Sequence, residues 1–414
     1  MHITAIITEY NPFHNGHLYQ IEQIKKRHPE GKIIIVMSGN FAQRGIPCIT
    51  DKYTRSEMAL MSGVDLVLEL PVVYATSSAE HFAMAAVGIL HKSGIVDELC
   101  FGSETPHIEA MQLLADLLLH EPESVSSHIK HSLSDGISYP QARMEALIKY
   151  VRDTQKTISA SSEVLIDLLS QPNNILGLEY LKALKYYHSS IKPFALQRKT
   201  AHYHAIDVEG PIASATAIRH HITSQSTHKI ERAMPSSAFE LLKPVIGKPV
   251  TLDMASSLFH YKMIMSELED LYAIWDVPKN LCHSLYHNAV TFKNLSDVID
   301  RATSKTYTRA TVQRSIIHLL LDIKEKDILA YKQLDYIPYI RLLACKQSAR
   351  DVLSKLTKLS QVPIIINPAK AQSILDTTSQ SLLNYELKAS KLYALLAHDP
   401  DLVFKDFTYQ PFRK

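Results

Sequence analysis

Three features of the sequence predict an α/β fold, a doubly wound parallel sheet followed by a mainly α-helical C-terminal domain. Short β-branched runs alternate with stretches of helical periodicity through the first half of the chain. Glycine then stops: all 12 glycines lie at or before Gly247, and the following 167 of the 414 residues have none. Turns with positive φ favour glycine, so a glycine-free stretch rich in Leu, Lys, Ile and Ala reads as packed helices. Proline and serine interrupt the pattern in "RAMPSSAFELLKPVIGKPV". The expected division is a sheet domain over residues 1–235 and a helical domain over 236–414.

The elements can be taken in order. "HITAIIT" is a compact β-branched run, and "HLYQIEQIKKRH" after it carries Leu18, Ile21 and Ile24 at helical spacing. "KIIIVMSG", "VDLVLELP" and "VDELCFGS" are the next strands, and "IKPFALQR" is a later one. Ligands of such sheets lie at the carboxyl ends of the strands. That rule brings together residues 9–17, 38–45 and 101–104 with Arg198.

Composition narrows the class. Apolar residues make up 46% and charged residues 21%, the profile of a soluble globular chain. The first apolar run stops at Glu9 without a basic leader, and no stretch approaches the roughly 20 apolar residues that cross a bilayer. Cys48, Cys100, Cys282 and Cys345 are scattered, which suits reduced thiols in the cytoplasm better than a disulfide framework. The net charge of +2 is uneven: residues from 248 onward carry 22 Lys+Arg against 17 Asp+Glu, and the earlier part carries 22 against 25. A net of +5 in the second part is a mild signal for a polyanionic partner.

The chemistry concentrates in "TEYNPFHNGH", directly behind the first strand. With the next helix starting near Gly16, His14 and His17 stand at its entrance, where unpaired N–H groups and the helix dipole favour an anion. Both imidazoles can donate to phosphate oxygens as charge grows in a transition state. A zinc pair and a plain structural turn are the competing readings, and no third zinc ligand follows at recognisable spacing. A second Ser/Thr-rich segment, "IASATAIRHHI", offers Ser214, Thr216 and Arg219 at another helix start, either as a phosphate clamp or as an ordinary N-cap.

Taken together, these two segments resemble the H-x-G-H and Ser/Thr–Ile-Arg signatures of the nucleotidyltransferase superfamily, whose fold is Rossmann-like. "EYNPFHNGH", "MSGNFAQRGIP", "FGSE", "QPNNILGLEYLKAL" and "IASATAIR" resemble one family within it, the bacterial tRNA(Met) cytidine acetate ligases. The likeness is strong over residues 3–222 and looser beyond. It implies an enzyme that condenses acetate with ATP to acetyl-adenylate. The acetyl group then passes to N4 of the wobble cytidine of elongator tRNA(Met).

The resemblance also implies site residues. The ATP contacts fall on Ile7, Thr8, Glu9, Tyr10, Asn11, Pro12, Phe13, His14, Asn15, Gly16, His17, Leu18, Tyr19 and Gln20. Further contacts fall on Gly102, on Asn173 or Asn174, and on Arg198, with Ser214 and Thr216 holding terminal phosphates. His14, His17 and Arg219 are the expected catalytic groups. Acetate needs no general base, so charge neutralisation and alignment suffice, with Mg²⁺ carried by the phosphates. A small-molecule adenylyltransferase and a non-catalytic nucleotide- or RNA-binding protein are the alternatives.

Other polar stretches carry weaker expectations. Asn40, Gln43 and Arg44 can shape an acetate or phosphate pocket, or form a surface loop. Lys52 and Arg55 open a helix, either solvated or in contact with tRNA or nucleotide. Asp65 and Glu69 read as strand-end polar groups. Arg301, Lys305, Arg309 and Arg314, with Tyr307 among them, suggest a basic helix surface for tRNA. Lys346, Arg350, Lys355 and Lys358 form a second candidate patch.

Overall fold

A computed structural model describes residues 1–137, 139–154, 161–199 and 212–413. Five parallel strands form the centre of the sheet: β1 (Ile3–Thr8), β2 (Lys32–Ser38), β5 (Leu66–Leu70), β6 (Glu98–Ser103) and β7 (Lys192–Gln197). Two short strands, β3 (Phe41–Ala42) and β4 (Ile46–Pro47), make a separate antiparallel hairpin after β2. The order across the main sheet is β5-β2-β1-β6-β7, so the winding reverses between β1 and β6. That crevice is where a doubly wound sheet binds ligands.

Most of these strands are buried on both faces, which makes them readable in the sequence; β7 is only partly buried. Along β2, Ile33, Ile35 and Met37 enter one core while Ile34 and Val36 enter the other. On the first face lie α1 (Asn15–Arg27), through Ile21 and Ile24, and α2 (Lys52–Met61), through Met58 and Leu60. The Ala79–Ser93 and Pro172–Tyr186 helices cover the second face.

The C-terminal part is mainly helical, yet it also extends the sheet. Strand β8 (Ile340–Lys346) pairs antiparallel with β5, and β9 (Ile364–Ile365) and β10 (Phe412–Arg413) pair with β8. The glycine-free segment, read as packed helices, is mainly helical but contributes these three strands as well. "IRLLACK" is a strand because β5 on one side and β9 and β10 on the other pair with it, a context that helical propensity does not report.

Lys52 and Arg55, expected near a helix surface, are both fully buried. Lys52 Nζ lies 2.7 Å from Glu69, 2.9 Å from Asp406 and 3.3 Å from Glu386. Arg341 reaches the same Glu69 and Asp406 at 2.8 and 2.6 Å. Burial alone would raise the Asp406 carboxyl, but Lys52 and Arg341 outweigh it and hold the group far below its ordinary range. Burial and the neighbouring Glu69 push Glu386 up to about 8. Glu69 is therefore an interior ion-pair partner and no simple strand-end group. Asp65 does serve a strand end, accepting the Ile33 N–H at 2.9 Å.

Arg55 has a different task. Its guanidinium donates to the carbonyls of Glu9 (2.6 Å), Ser38 (3.1 Å) and Gly39, and through Nε to Thr50 (3.2 Å). It thereby ties together the loops that leave β1 and β2.

Candidate nucleotide site at the switch point

His14 is the N-cap of α1 and His17 is its third helical residue. The Gly16 N–H donates to His14 Nδ1 at 3.1 Å, and the His14 N–H donates to His17 Nδ1 at 3.2 Å. This reciprocal cap stacks the two rings, with centroids 3.6 Å apart. An Nδ1 that accepts must be unprotonated, so each neutral ring carries its proton on Nε2. Burial, then the charges of Arg198 and Arg219, lower His14 to about 3. Burial, then His14 and Arg198, hold His17 well below its ordinary value. Both imidazoles are neutral donors at pH 7, able to meet phosphate oxygens without giving up a proton.

The loop between β1 and the helix is packed from below. Tyr10, with φ of 46°, meets Phe13 edge-on at 4.7 Å and His17 at 4.6 Å. The Asn11–Pro12 bond is cis. Asn11 accepts the Ile49 N–H through Oδ1 at 2.8 Å and an Arg219 N–H through its carbonyl at 2.7 Å. Arg219 also donates to Thr216 Oγ1 at 3.0 Å. The two signature segments, 200 residues apart in sequence, are thus joined by one guanidinium. Ser214 N-caps the Ala215–Thr223 helix, donated to by Ala217 N–H at 3.1 Å.

On the other side of the crevice, Arg198 lies across Gly102: a Cβ there would stand 3.1 Å from Arg198 Cγ. Arg198 donates to Asn173 Oδ1 at 3.1 Å, and Asn173 Nδ2 in turn donates to Glu104. Asn174 is fully buried; its Oδ1 accepts from Ser103 Oγ and from the N–H groups of Glu104 and Thr105. The paired asparagines therefore divide. Asn174 braces the "FGSE" turn, and Asn173 orients Arg198.

A pocket at this point is lined by His14, Gly16, His17, Tyr19, Gln20, Gly102, Arg198 and Ser214 from the expected set. Leu196, Gln197, Lys199, Ile212 and Ala213 complete the lining and were not anticipated. Lys199 sits 4.5 Å above the Tyr19 ring, and its position one residue past Arg198 was the available signal. Outside this lining are Ile7, Thr8, Glu9, Tyr10, Asn11, Pro12, Phe13, Asn15, Leu18, Asn173, Asn174, Thr216 and Arg219. Asn11, Asn174 and Arg219 hold the loops as described. Asn15 donates to the Arg232 carbonyl at 3.0 Å, and Leu18 packs against the core. Among the described residues the lining contains no carboxylate; its side-chain oxygens are those of Tyr19, Gln20, Gln197 and Ser214.

The loop after β2 behaves differently from expectation. Asn40 Oδ1 accepts the Lys52 N–H at 2.8 Å, Glu9 accepts the Gln43 N–H at 2.6 Å, and Arg44 is exposed. None of the three side chains lines the pocket. Gly45, with φ of +70°, abuts the backbone of Gln313 and Arg314 so closely that any Cβ would clash. The Arg309–Leu321 helix thus braces the hairpin, and the expected basic surface is broken up. Arg314 is 15% exposed and 3.4 Å from Asp276, Arg309 pairs with Asp300, and Lys305 lies in the exposed loop before the helix. Lys346 is half-buried, and burial lowers its pKa.

This strand–helix entrance, closed by a Ser/Thr–Arg segment, defines a class of nucleotide-binding α/β proteins. The chain matches the family model "HIGH Nucleotidyl Transferase" over residues 1–405. It is 36% identical to the tRNA(Met) cytidine acetate ligase of Halothermothrix orenii, covering 97% of this chain and 96% of that protein. It is 37% identical to the ligase of that name from Caldanaerobacter subterraneus, covering 95% of each. Crystal structures of Thermotoga maritima TmcAL superpose with TM-scores of 0.90 (bound with alpha-thio ATP) and 0.93 (apo). Each covers 100% of this chain and 99% of that one at 28% identity. The chain belongs to the HIGH nucleotidyltransferases. Within them it is a member of the tRNA(Met) cytidine acetate ligase family.

Proposed function

We propose that the protein is an ATP-dependent acetate ligase that forms N4-acetylcytidine at the wobble position of elongator tRNA(Met). The observation that carries this reading is the pocket in which the neutral His14–His17 pair, Arg198 and Ser214 meet at the switch point. A carboxylate oxygen of acetate attacks the α-phosphorus of ATP, and the bond to the β-phosphate oxygen breaks, releasing pyrophosphate. Charge builds on the phosphate oxygens, where the two Nε2–H donors and the helix N-terminus would stabilise it. Arg198, held by Asn173, is suited to the α-phosphate side. Arg219, through Thr216, is suited to keeping the second helix entrance aimed at the terminal phosphates. Any Mg²⁺ would ride on the phosphates, since the described lining residues supply no carboxylate for it.

In the second step the cytidine N4 amine attacks the acetyl carbon of the mixed anhydride. AMP leaves and the amine loses a proton. The anhydride is already activated, so no nucleophilic side chain is required. The tRNA would lie along the net-basic part after residue 235, which also extends the catalytic sheet through β8. Expression in a compartment holding tRNA, the cytoplasm, follows from that substrate.

The test is pyrophosphate exchange into ATP, with and without acetate, followed by transfer of labelled acetate to elongator tRNA(Met). Exchange that requires acetate, and label at the wobble cytidine alone, is the expected outcome. Exchange indifferent to acetate would point to a small-molecule adenylyltransferase, and none at all to a non-catalytic binding protein.

A further inference from the structure

At the opposite end of the sheet, three side chains from three elements converge. His2 precedes β1, His28 caps the C-terminus of α1, and Glu98 opens β6 beside Thr4. One ligand atom from each lies within 4.8 Å of the other two. His2 Nε2, His28 Nε2 and Glu98 Oε1 are all shielded from solvent and have no hydrogen-bond partner, and Glu98 is 95% buried, being 5% exposed. Three orphaned polar atoms at one point are costly unless something binds them. We propose that His2, His28 and Glu98 form a binding site for a divalent metal ion of the zinc type.

The surroundings are those of a metal site. Asp97 Oδ2 accepts the Ile3 N–H at 2.8 Å and stands 4.0 Å from His2 Nδ1. At that distance the carboxylate is a charge near Nδ1, and a small approach would give the carboxylate–histidine pairing that commonly backs a metal-bound histidine. Arg27 holds the other Glu98 oxygen, Oε2, at 3.4 Å and leaves Oε1 to the cluster. His28 Nε2 is 3.7 Å from that Oε1. The rings of His2 and His28 are stacked 3.6 Å apart. Metal binding would require the stacked rings to turn apart, so that the three atoms close from within 4.8 Å to the spacing of about 3.3 Å expected between ligands of a tetrahedral ion. The C-terminus of α1, with its exposed carbonyls, adds favourable potential for a cation.

Two nitrogens and one carboxylate oxygen suit zinc, cobalt or nickel better than magnesium or calcium. A fourth position remains for water. The site lies one helix length, about 20 Å, from His14. A bound ion would fasten the far end of α1 to β1 and β6, and it owes nothing to the nucleotide reading.

The experiment uses the full chain stripped with a chelator, then titrated with zinc alone by calorimetry and with cobalt alone by visible absorption. The wild type should take up one equivalent that Glu98→Gln and His28→Ala each weaken by about tenfold or more. Its thermal midpoint should rise by about 3 °C at zinc roughly 100 times Kd, with no rise in the variants. Cobalt should show tetrahedral bands in the wild type only. If His28→Ala does not fold, Glu98→Gln and His2→Asn give the same comparison. Zinc uptake unchanged by Glu98→Gln, or no saturable uptake by the wild type, would overturn the proposal. The pair would then be a stacked ion-pair partner of Glu98 alone.

Discussion

Replacing Lys52 by methionine removes the one ammonium that faces three carboxyl groups in the interior. Nζ is 2.7, 2.9 and 3.3 Å from Glu69, Asp406 and Glu386, and all four side chains are at most 1% exposed. Arg341 would be left alone to balance Glu69 and Asp406. Removing one partner from a buried ion cluster costs about 3–5 kcal/mol. For a chain of this length that is a melting midpoint lower by about 3–6 °C. The damage should reach the nucleotide site, because Gly39 leans on Glu386: a Cβ there would stand 2.5 Å from Oε1. The assay is calorimetric unfolding at pH 7 alongside acetate-dependent pyrophosphate exchange. Glu69→Gln alone should destabilise, yet added to Lys52→Met it should recover part of the loss by removing the excess negative charge. A Lys52→Met midpoint within about 1 °C of the wild type, or a double variant that loses the sum of both singles, would refute the argument.

His14→Ala and His17→Ala should each cut acetate-dependent exchange strongly while circular dichroism stays native. Because His14 is held at about 3 against 6.5 when unfolded, it adds stability above pH 6.5 that is lost as pH falls toward 3. For the same reason exchange should show no inflection near pH 6.5, and an inflection there would mean a charged histidine does the work. Arg219→Ala should raise the KM for ATP more than it weakens tRNA binding, since the side chain joins Asn11 to Thr216; filter binding of tRNA and exchange kinetics together measure the split. Arg314→Ala should impair both half-reactions, because its guanidinium ties the helix that braces Gly45 to Asp276, whereas Lys305→Ala with Lys358→Ala should spare exchange and weaken tRNA transfer. Each lost phosphate contact should flatten the salt dependence of tRNA binding by about one unit of log–log slope.

The sequence by itself determined the five parallel strands and the histidine pair at the entrance of the first helix, but not the strands β8, β9 and β10 that extend the sheet. Strands such as "KIIIVMS" are buried on both faces, so their composition announces them, and a histidine pair behind the first strand falls at a helix entrance wherever the chain goes next. Tertiary structure decided everything that depends on distance across the fold. Lys52 and Arg55 look like any helix-start cations until Asp406, Glu386 and Arg341, some 300 residues later, close over the first. Arg314 reads as a surface cation until Gly45 is seen against its backbone. Asn173 and Asn174 are indistinguishable as neighbours, and the β6 turn alone assigns one to Arg198 and the other to the interior. Local patterns report burial and backbone preference. The partner of a charge is set by which distant segments pack beside it, and that information is not in any window of the sequence.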